Sequence, residues 1–253
     1  MKKNIEKINR KINDFGFYTG FSVNKIDLKF LESLIKKKIF SKIKNEYPHL
    51  KKHINNIKIF EYHKISNLID HKKLWPKSER LFSNTEVIKI RKLNFFKKIE
   101  SCFGKIKITN EDNIMKEEIY WRIVRPNVLS DVGPLHADKW FWDHNQWKIA
   151  KNYYRLKIWI PIICEEKNSG LIYIPKSHKK NIKYKTHKVD GKIKPLKINL
   201  KKTLIKKSFR VKPGQTVIFH DNLLHGGKVG KIQTRISMEF TILIKSKVGS
   251  NQN

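Results

Sequence analysis

Two residues in the segment GPLHAD, His136 and Asp138, stand two positions apart. In an extended strand that spacing sends both side chains to the same face, so one imidazole and one carboxylate can point together. A third metal-binding side chain, His225, follows 89 residues later in HDNLLHGG. Two histidines and one carboxylate occupying one face of an octahedron leave three positions open, the arrangement that suits non-haem Fe(II) chemistry with a co-substrate and O2. The HxD pair alone is weak, because a chain with 10 histidines meets it by chance and a lone histidine is commonly a hydrogen-bonded side chain near the surface.

Arg235 in TRISMEF, ten residues beyond His225, sharpens the pattern. A strand starting there is expected to return alongside the His225 strand and aim its guanidinium into a cavity, where the planar fork matches a carboxylate. Ser237 shares that strand face. A surface charge is the competing reading of Arg235, and it weakens once the spacing from the three ligand candidates is counted.

These residues need a β scaffold. After residue 118 short aromatic and β-branched runs alternate with Pro, Gly, Asn and Asp, which predicts strands at 119–124, 134–138, 154–162, 170–175, 214–220 and 234–244. Six such runs suit a barrel or a double-sheet jelly roll. The lysine-rich stretch 181–210 reads as an insertion or lid at the barrel mouth. Residues 1–118 form a mainly helical annex. A helix over 25–44, capped by Asn24 or Asp27, and another near 84–95 follow from apolar periodicity.

The 253 residues suit one domain, 1–253, with its core at 119–245. Two cysteines, Cys102 and Cys164, make no disulfide framework and lack zinc-site spacing, so a reducing, cytoplasmic setting is expected. No apolar run is long enough for a membrane span. The formal charge of +34 is carried by 48 lysines and only 8 arginines scattered among Ile and Asn. Base readout and bidentate phosphate binding favour arginine, and no nucleic-acid-binding motif is visible, so nucleic acid is not the expected partner.

With these motifs together, the C-terminal half resembles the phytanoyl-CoA dioxygenase-like family of Fe(II)/2-oxoglutarate oxygenases. The resemblance covers roughly residues 120–244 and rests on HAD at 136–138, SGLIYIPKSHKK at 169–180, PGQTVIFHDNLLHGG at 213–227 and TRIS at 234–237. It implies a double-stranded β-helix, with His136, Asp138 and His225 as iron ligands and Fe(II), 2-oxoglutarate and O2 as the reacting set. It also implies that Arg235 meets the distal carboxylate of 2-oxoglutarate and that Trp159 lines the co-substrate pocket. The stretch IPKSH resembles the family's Pro-Gly-Ser-His turn, with Lys176 in place of glycine. Upstream of residue 120 only DFGFYTG is similar. Asp138 favours hydroxylation or a related oxidation over halogenation, since the halogenases that resemble these enzymes lack that carboxylate.

Substrate residues stay open. The sequence KWFWDHNQW is expected to be a loop, and Trp140 and Trp142 in it are either a packed flap or a stacking wall for a cyclic substrate. Arg122 and Arg125 are candidates for an anionic group, with surface charge as the alternative. Lys157 and Arg155 share a strand face with Trp159. A small molecule is expected, whether carbohydrate-type, lipid or natural-product-like, and an anionic one would suit the cations. The rivals are a cupin-like, non-catalytic metal-binding barrel, which leaves Arg235 unexplained, and a basic nucleic-acid-associated oxygenase.

Overall fold

The computed structural model describes residues 2–111, 116–166, 169–189, 192–197 and 205–245. In chain order the elements of the first half are α1 (Lys2–Phe15), β1 (Phe17–Ser22), α2 (Lys25–Glu46), α3 (Lys51–Asn55), α4 (His71–Leu74), α5 (Asn84–Arg91), α6 (Asn94–Phe103) and β2 (Lys107–Ile108). The second half contains β3 (Tyr120–Val124), α7 (Asp138–His144), β4 (Tyr153–Ile163), β5 (Gly170–Tyr173), β6 (Lys185–Val189) and β7 (Lys192–Lys197). It ends with β8 (Lys207–Ser208), β9 (Gln215–His220), β10 (His225–Lys228) and β11 (Arg235–Lys245).

The fold is mainly antiparallel sheet with helices packed against it. One sheet runs β1-β9-β4-β11-β2, with β3 also pairing β11, and a second runs β10-β5-β8. The alternation in β11 decides which face meets what. Ile236, Met238, Phe240, Ile242 and Ile244 join the main core with Leu31, Ile35, Ile39 and Phe96 of the helices. Arg235, Ser237, Glu239 and Thr241 therefore face the other way, yet all four are buried. Strand β4 repeats the pattern: Leu156, Ile158, Ile160 and Ile162 pack toward the helices, while Trp159 joins Leu171, Phe209, Val217, Phe219 and Leu223 in a second cluster between the sheets.

Helix α2 begins where the sequence predicts. Asn24 is its cap, accepting a hydrogen bond from the Asp27 main-chain N–H at 2.8 Å. The helix expected over 84–95 divides into α5 and α6, because Leu93 is extended (φ −64°, ψ 147°). A Ser83–Glu86 capping box starts α5, and the Asp27 carboxylate accepts from the Phe95 main-chain N–H in α6 at 3.3 Å.

Two local expectations need correction. Residues 134–138 form no strand: His136 makes a single β-bridge to His225, and the chain turns into α7 at Asp138. Pro134 has no N–H for a ladder, and the Lys139 N–H is taken by the Asp221 carbonyl at 2.9 Å. The tryptophan-rich segment is the helix α7 and not a loop, with Trp140 and Trp142 buried. Within 181–210, the hairpin β6–β7 and strand β8 supply regular structure, while 198–204 lies outside the described residues. Two strands, β1 and β2, come from the N-terminal half, and β1 pairs β9.

Cys102 and Cys164 are both free. No helix among the described residues is long and apolar enough to cross a membrane.

Candidate metal centre

The β-bridge brings His136 and His225 together, and α7 delivers Asp138 from its first residue. Ligand atoms of the three all lie within 4.8 Å of one another. His136 Nε2 is 3.8 Å from Asp138 Oδ1, and His225 Nε2 is 3.8 Å from Asp138 Oδ2. His225 is buried and the other two are half-buried.

Each imidazole is held by a carbonyl two residues before it. His136 Nδ1 lies 2.8 Å from the Pro134 carbonyl oxygen and His225 Nδ1 lies 2.9 Å from that of Leu223. A carbonyl only accepts, so both Nδ1 atoms carry a proton and both Nε2 atoms are turned to the space beside Asp138. Burial, with His225 next to it, pushes His136 down to about 4, so that ring is neutral at neutral pH. Asp138 Oδ2 is buried without a hydrogen-bond partner. Two imidazoles anchored at Nδ1 and an unpartnered carboxylate oxygen fit a divalent first-row metal such as Fe(II).

The HGG sequence has a packing reason. Segment 132–135 crosses directly over β10, and a Cβ on Gly227 would meet the Val132 Cβ at 2.6 Å. Upstream, the Leu224 N–H donates to Ser177 Oγ at 2.8 Å, tying the turn before His225 to the IPKSH turn. In that turn Lys176 has φ 57°, the left-handed conformation that glycine adopts most easily.

Helix α7 is fixed by a clamp that sequence reasoning missed. The Arg155 guanidinium pairs with Asp221 at 2.7 and 2.6 Å and lies 4.3 Å over the Trp142 ring. Arg155 and Asp221 are 66 residues apart, and neither motif signals the other.

Arg235 faces the same interior from the opposite sheet. Contrary to the expectation from sequence, its strand does not run beside that of His225: β11 pairs β2, β3 and β4, whereas β10 pairs β5. The length of β11 and its alternation suit the middle of the larger sheet, whereas the four-residue β10 pairs β5 and makes the single bridge to His136. Arg235 is 2% exposed, donates from Nη1 to the Gly170 carbonyl at 2.7 Å, and lies 5.6 Å from the Trp159 ring. Its Nε and the Ser237 hydroxyl are buried without partners. Burial, with Arg122 adding repulsion, lowers Arg235 to about 10, so it remains a cation at neutral pH. An unpartnered guanidinium N–H and a neighbouring hydroxyl fit a carboxylate acceptor.

Arg122 lies opposite Ser237 and pairs with Glu239 at 2.7 Å from Nε. Burial alone would raise Glu239, but Arg122 and Lys157 outweigh it and hold the carboxyl well below its usual range. Arg125 is turned away from this interior by Asp131, which accepts from its Nε at 2.9 Å and its Nη2 at 2.8 Å. Trp140 packs with Ala137, Ile174 and Leu224, and its ring is 5.3 Å from Tyr184. A cleft of about 280 Å³ lies outside this packing, lined by Trp140, Asp143, Asn181, Ile182, Lys183 and Tyr184, and includes no residue of the triad.

Solved structures share the fold. EvdO2 from Micromonospora carbonacea var. aurantiaca is 11% identical, with 97% of this chain and 94% of that one covered at a TM-score of 0.57. The non-heme monooxygenase ThoJ is 9% identical, with 94% and 77% covered and a TM-score of 0.54. The epimerase SnoN, in complex with Fe3+, alpha ketoglutarate and nogalamycin RO, is 9% identical, with 99% and 89% covered and a TM-score of 0.51. At such identities the likeness concerns the fold alone. No curated protein matches the chain. The family model for phytanoyl-CoA dioxygenase matches residues 22–229, a span containing all three triad residues, and the chain therefore belongs to the phytanoyl-CoA dioxygenase family.

Proposed function

We propose that the protein is a non-haem Fe(II)/2-oxoglutarate-dependent dioxygenase that hydroxylates a small molecule. Substrate, O2 and 2-oxoglutarate would give hydroxylated substrate, succinate and CO2. The observation that carries this reading is the pair of Nδ1-anchored imidazoles, which present Nε2 toward one carboxylate within 4.8 Å.

His136, Asp138 and His225 would hold the iron, leaving three coordination positions for the reactants. Bound there, the iron supplies the redox chemistry that couples decarboxylation of the co-substrate to oxidation of the substrate. Arg235 and Ser237 would orient 2-oxoglutarate by its distal carboxylate, with Trp159 closing the pocket beneath it. Their burial strengthens that contact by excluding water. The backbone anchors keep both imidazoles in one orientation, and the Arg155–Asp221 pair keeps Asp138 in place through α7.

In this reading the two sheets are the walls of a double-stranded β-helix within a single domain. The helices of residues 1–118 brace its outer face, and the hairpin β6–β7, which meets α7, would lie at its mouth. The unpartnered Nε of Arg235 favours this over a cupin-like metal-binding barrel, which has no use for a buried cation there. The test is succinate formation from 2-oxoglutarate with Fe(II), with and without a metabolite extract. O2-dependent turnover that a chelator removes is expected, and its absence in folded, iron-loaded protein would overturn the reading.

A further inference from the structure

The interior face of β4 and β11 carries a polar group that neither the triad nor the Arg235 site uses. Lys157 stands opposite Thr241 of β11 on one side and Phe219 of β9 on the other. The Phe219 ring is 4.6 Å from that of His225, so this row of the sheet adjoins the metal centre. The carboxylates whose fields reach the Lys157 ammonium are Asp138, Glu111 and Glu239. Burial would lower Lys157, and these carboxylates outweigh it, so the side chain is a firm cation.

None of those carboxylates holds it. Among the described residues Lys157 is half-buried with no hydrogen bond and no ion pair within 4.0 Å. Glu239 is engaged by Arg122, and Glu111 accepts from the Thr109 hydroxyl at 3.1 Å. Asp138 belongs to the metal. Beside Lys157, the Thr241 hydroxyl is also buried without a partner. Three ammonium donors and one hydroxyl, none of them with a hydrogen-bond partner, match an oxyanion.

The co-substrate does not satisfy them. Thr241 is six residues along β11 from Arg235, roughly 20 Å at ~3.3 Å per residue. A five-carbon diacid is about as long as two extended residues, roughly 7 Å. A molecule seated on Arg235 and reaching the metal therefore ends short of this row. We propose that Lys157, with the Thr241 hydroxyl, anchors an anionic group of the substrate, a carboxylate, sulfate or phosphate, on the side of the triad away from Arg235. This rests on the oxygenase reading, and it narrows the substrate class to acids or acid esters whose oxidised carbon lies a short distance from the anchored anion.

The test is calorimetric titration of anaerobic protein saturated with Fe(II) and 2-oxoglutarate, using acetate, benzoate, sulfate and inorganic phosphate, with benzamide as the neutral control. At least one anion is expected to bind saturably where benzamide does not. Lys157→Met should weaken that binding tenfold or more, Lys157→Arg should keep most of it, and Lys72→Met on the exposed surface should leave it unchanged. The preferred anion identifies the group. No saturable binding, or equal binding to folded Lys157→Met, would overturn the assignment, as would Lys157→Met weakening 2-oxoglutarate itself. Repeating the titration without metal or co-substrate separates the two readings. Lys157-dependent anion binding in wild-type protein that fails to bind 2-oxoglutarate would overturn the oxygenase and leave the anion site standing.

Discussion

The main chains of His136 and His225 exchange two hydrogen bonds, N–H to O in each direction, both at 2.9 Å. This reciprocal bridge sets two candidate metal ligands side by side through the backbone, with their rings 4.5 Å apart. Side-chain replacements at either position leave the bridge intact, which separates metal binding from folding experimentally.

His136→Ala or His225→Ala is therefore expected to keep the fold and lose the metal. Iron affinity should fall by more than the 10–100-fold that follows loss of an outer-shell partner. Anaerobic Fe(II) titration with a parallel melting curve reads both. Wild-type affinity in both folded variants would remove the assignment.

Arg235→Ala should raise the 2-oxoglutarate requirement and spare iron binding. A charge-assisted contact contributes about 1.5–3 kcal/mol, roughly a 10- to 150-fold change. Arg235→Lys should recover only part, since an ammonium lacks the planar fork. An unchanged requirement would mean that another cation of this interior, such as Arg122, anchors the co-substrate.

Trp142 and Arg155 are expected to act through the position of α7. Trp142→Ala should lower stability by about 3–5 kcal/mol. Arg155→Met, which strands the buried Asp221 carboxylate, should cost a similar amount. Both should also weaken iron binding at temperatures where the protein is still folded, because Asp138 begins that helix. If either variant lost stability but bound iron normally, the clamp would have no role in placing Asp138.

Metal-free protein is expected to lose stability as pH falls from about 6.5 toward 4. His71 and His136 are both pushed down to about 4, in each case mainly by burial. Across that window the unfolded chain takes up protons that the folded one refuses, so acid favours unfolding and stability is recovered above 6.5. His71→Gln should flatten part of the slope in denaturant titrations at several pH values. An unchanged slope in that variant would contradict burial of a neutral His71.

The candidate triad that the structure gathers was legible in the sequence because each member sits in a short local pattern, and the alternation of residues 234–244 marked the face Arg235 shares with Ser237. The route to the triad was not. HxD spacing suggested a strand, whereas one bridge and a helix start bring the two side chains together, and only the N–H of Lys139 bonded to Asp221 reveals why. The tryptophans were apolar enough to suggest a flap, but helical structure in so short a segment depends on packing against Arg155 and Tyr184, which are distant in sequence. The Arg122–Glu239 pair spans 117 residues and follows from strand register alone, which no local motif reports.

The most direct test of the central claim is anaerobic addition of Fe(II) and 2-oxoglutarate to the purified protein, read as the weak visible charge-transfer band of the iron–2-oxoglutarate chelate. The band is expected in wild-type protein with one iron per chain, absent in His225→Ala, and shifted to higher 2-oxoglutarate concentration in Arg235→Ala. A folded wild-type protein that binds Fe(II) yet develops no band at saturating 2-oxoglutarate would contradict the account.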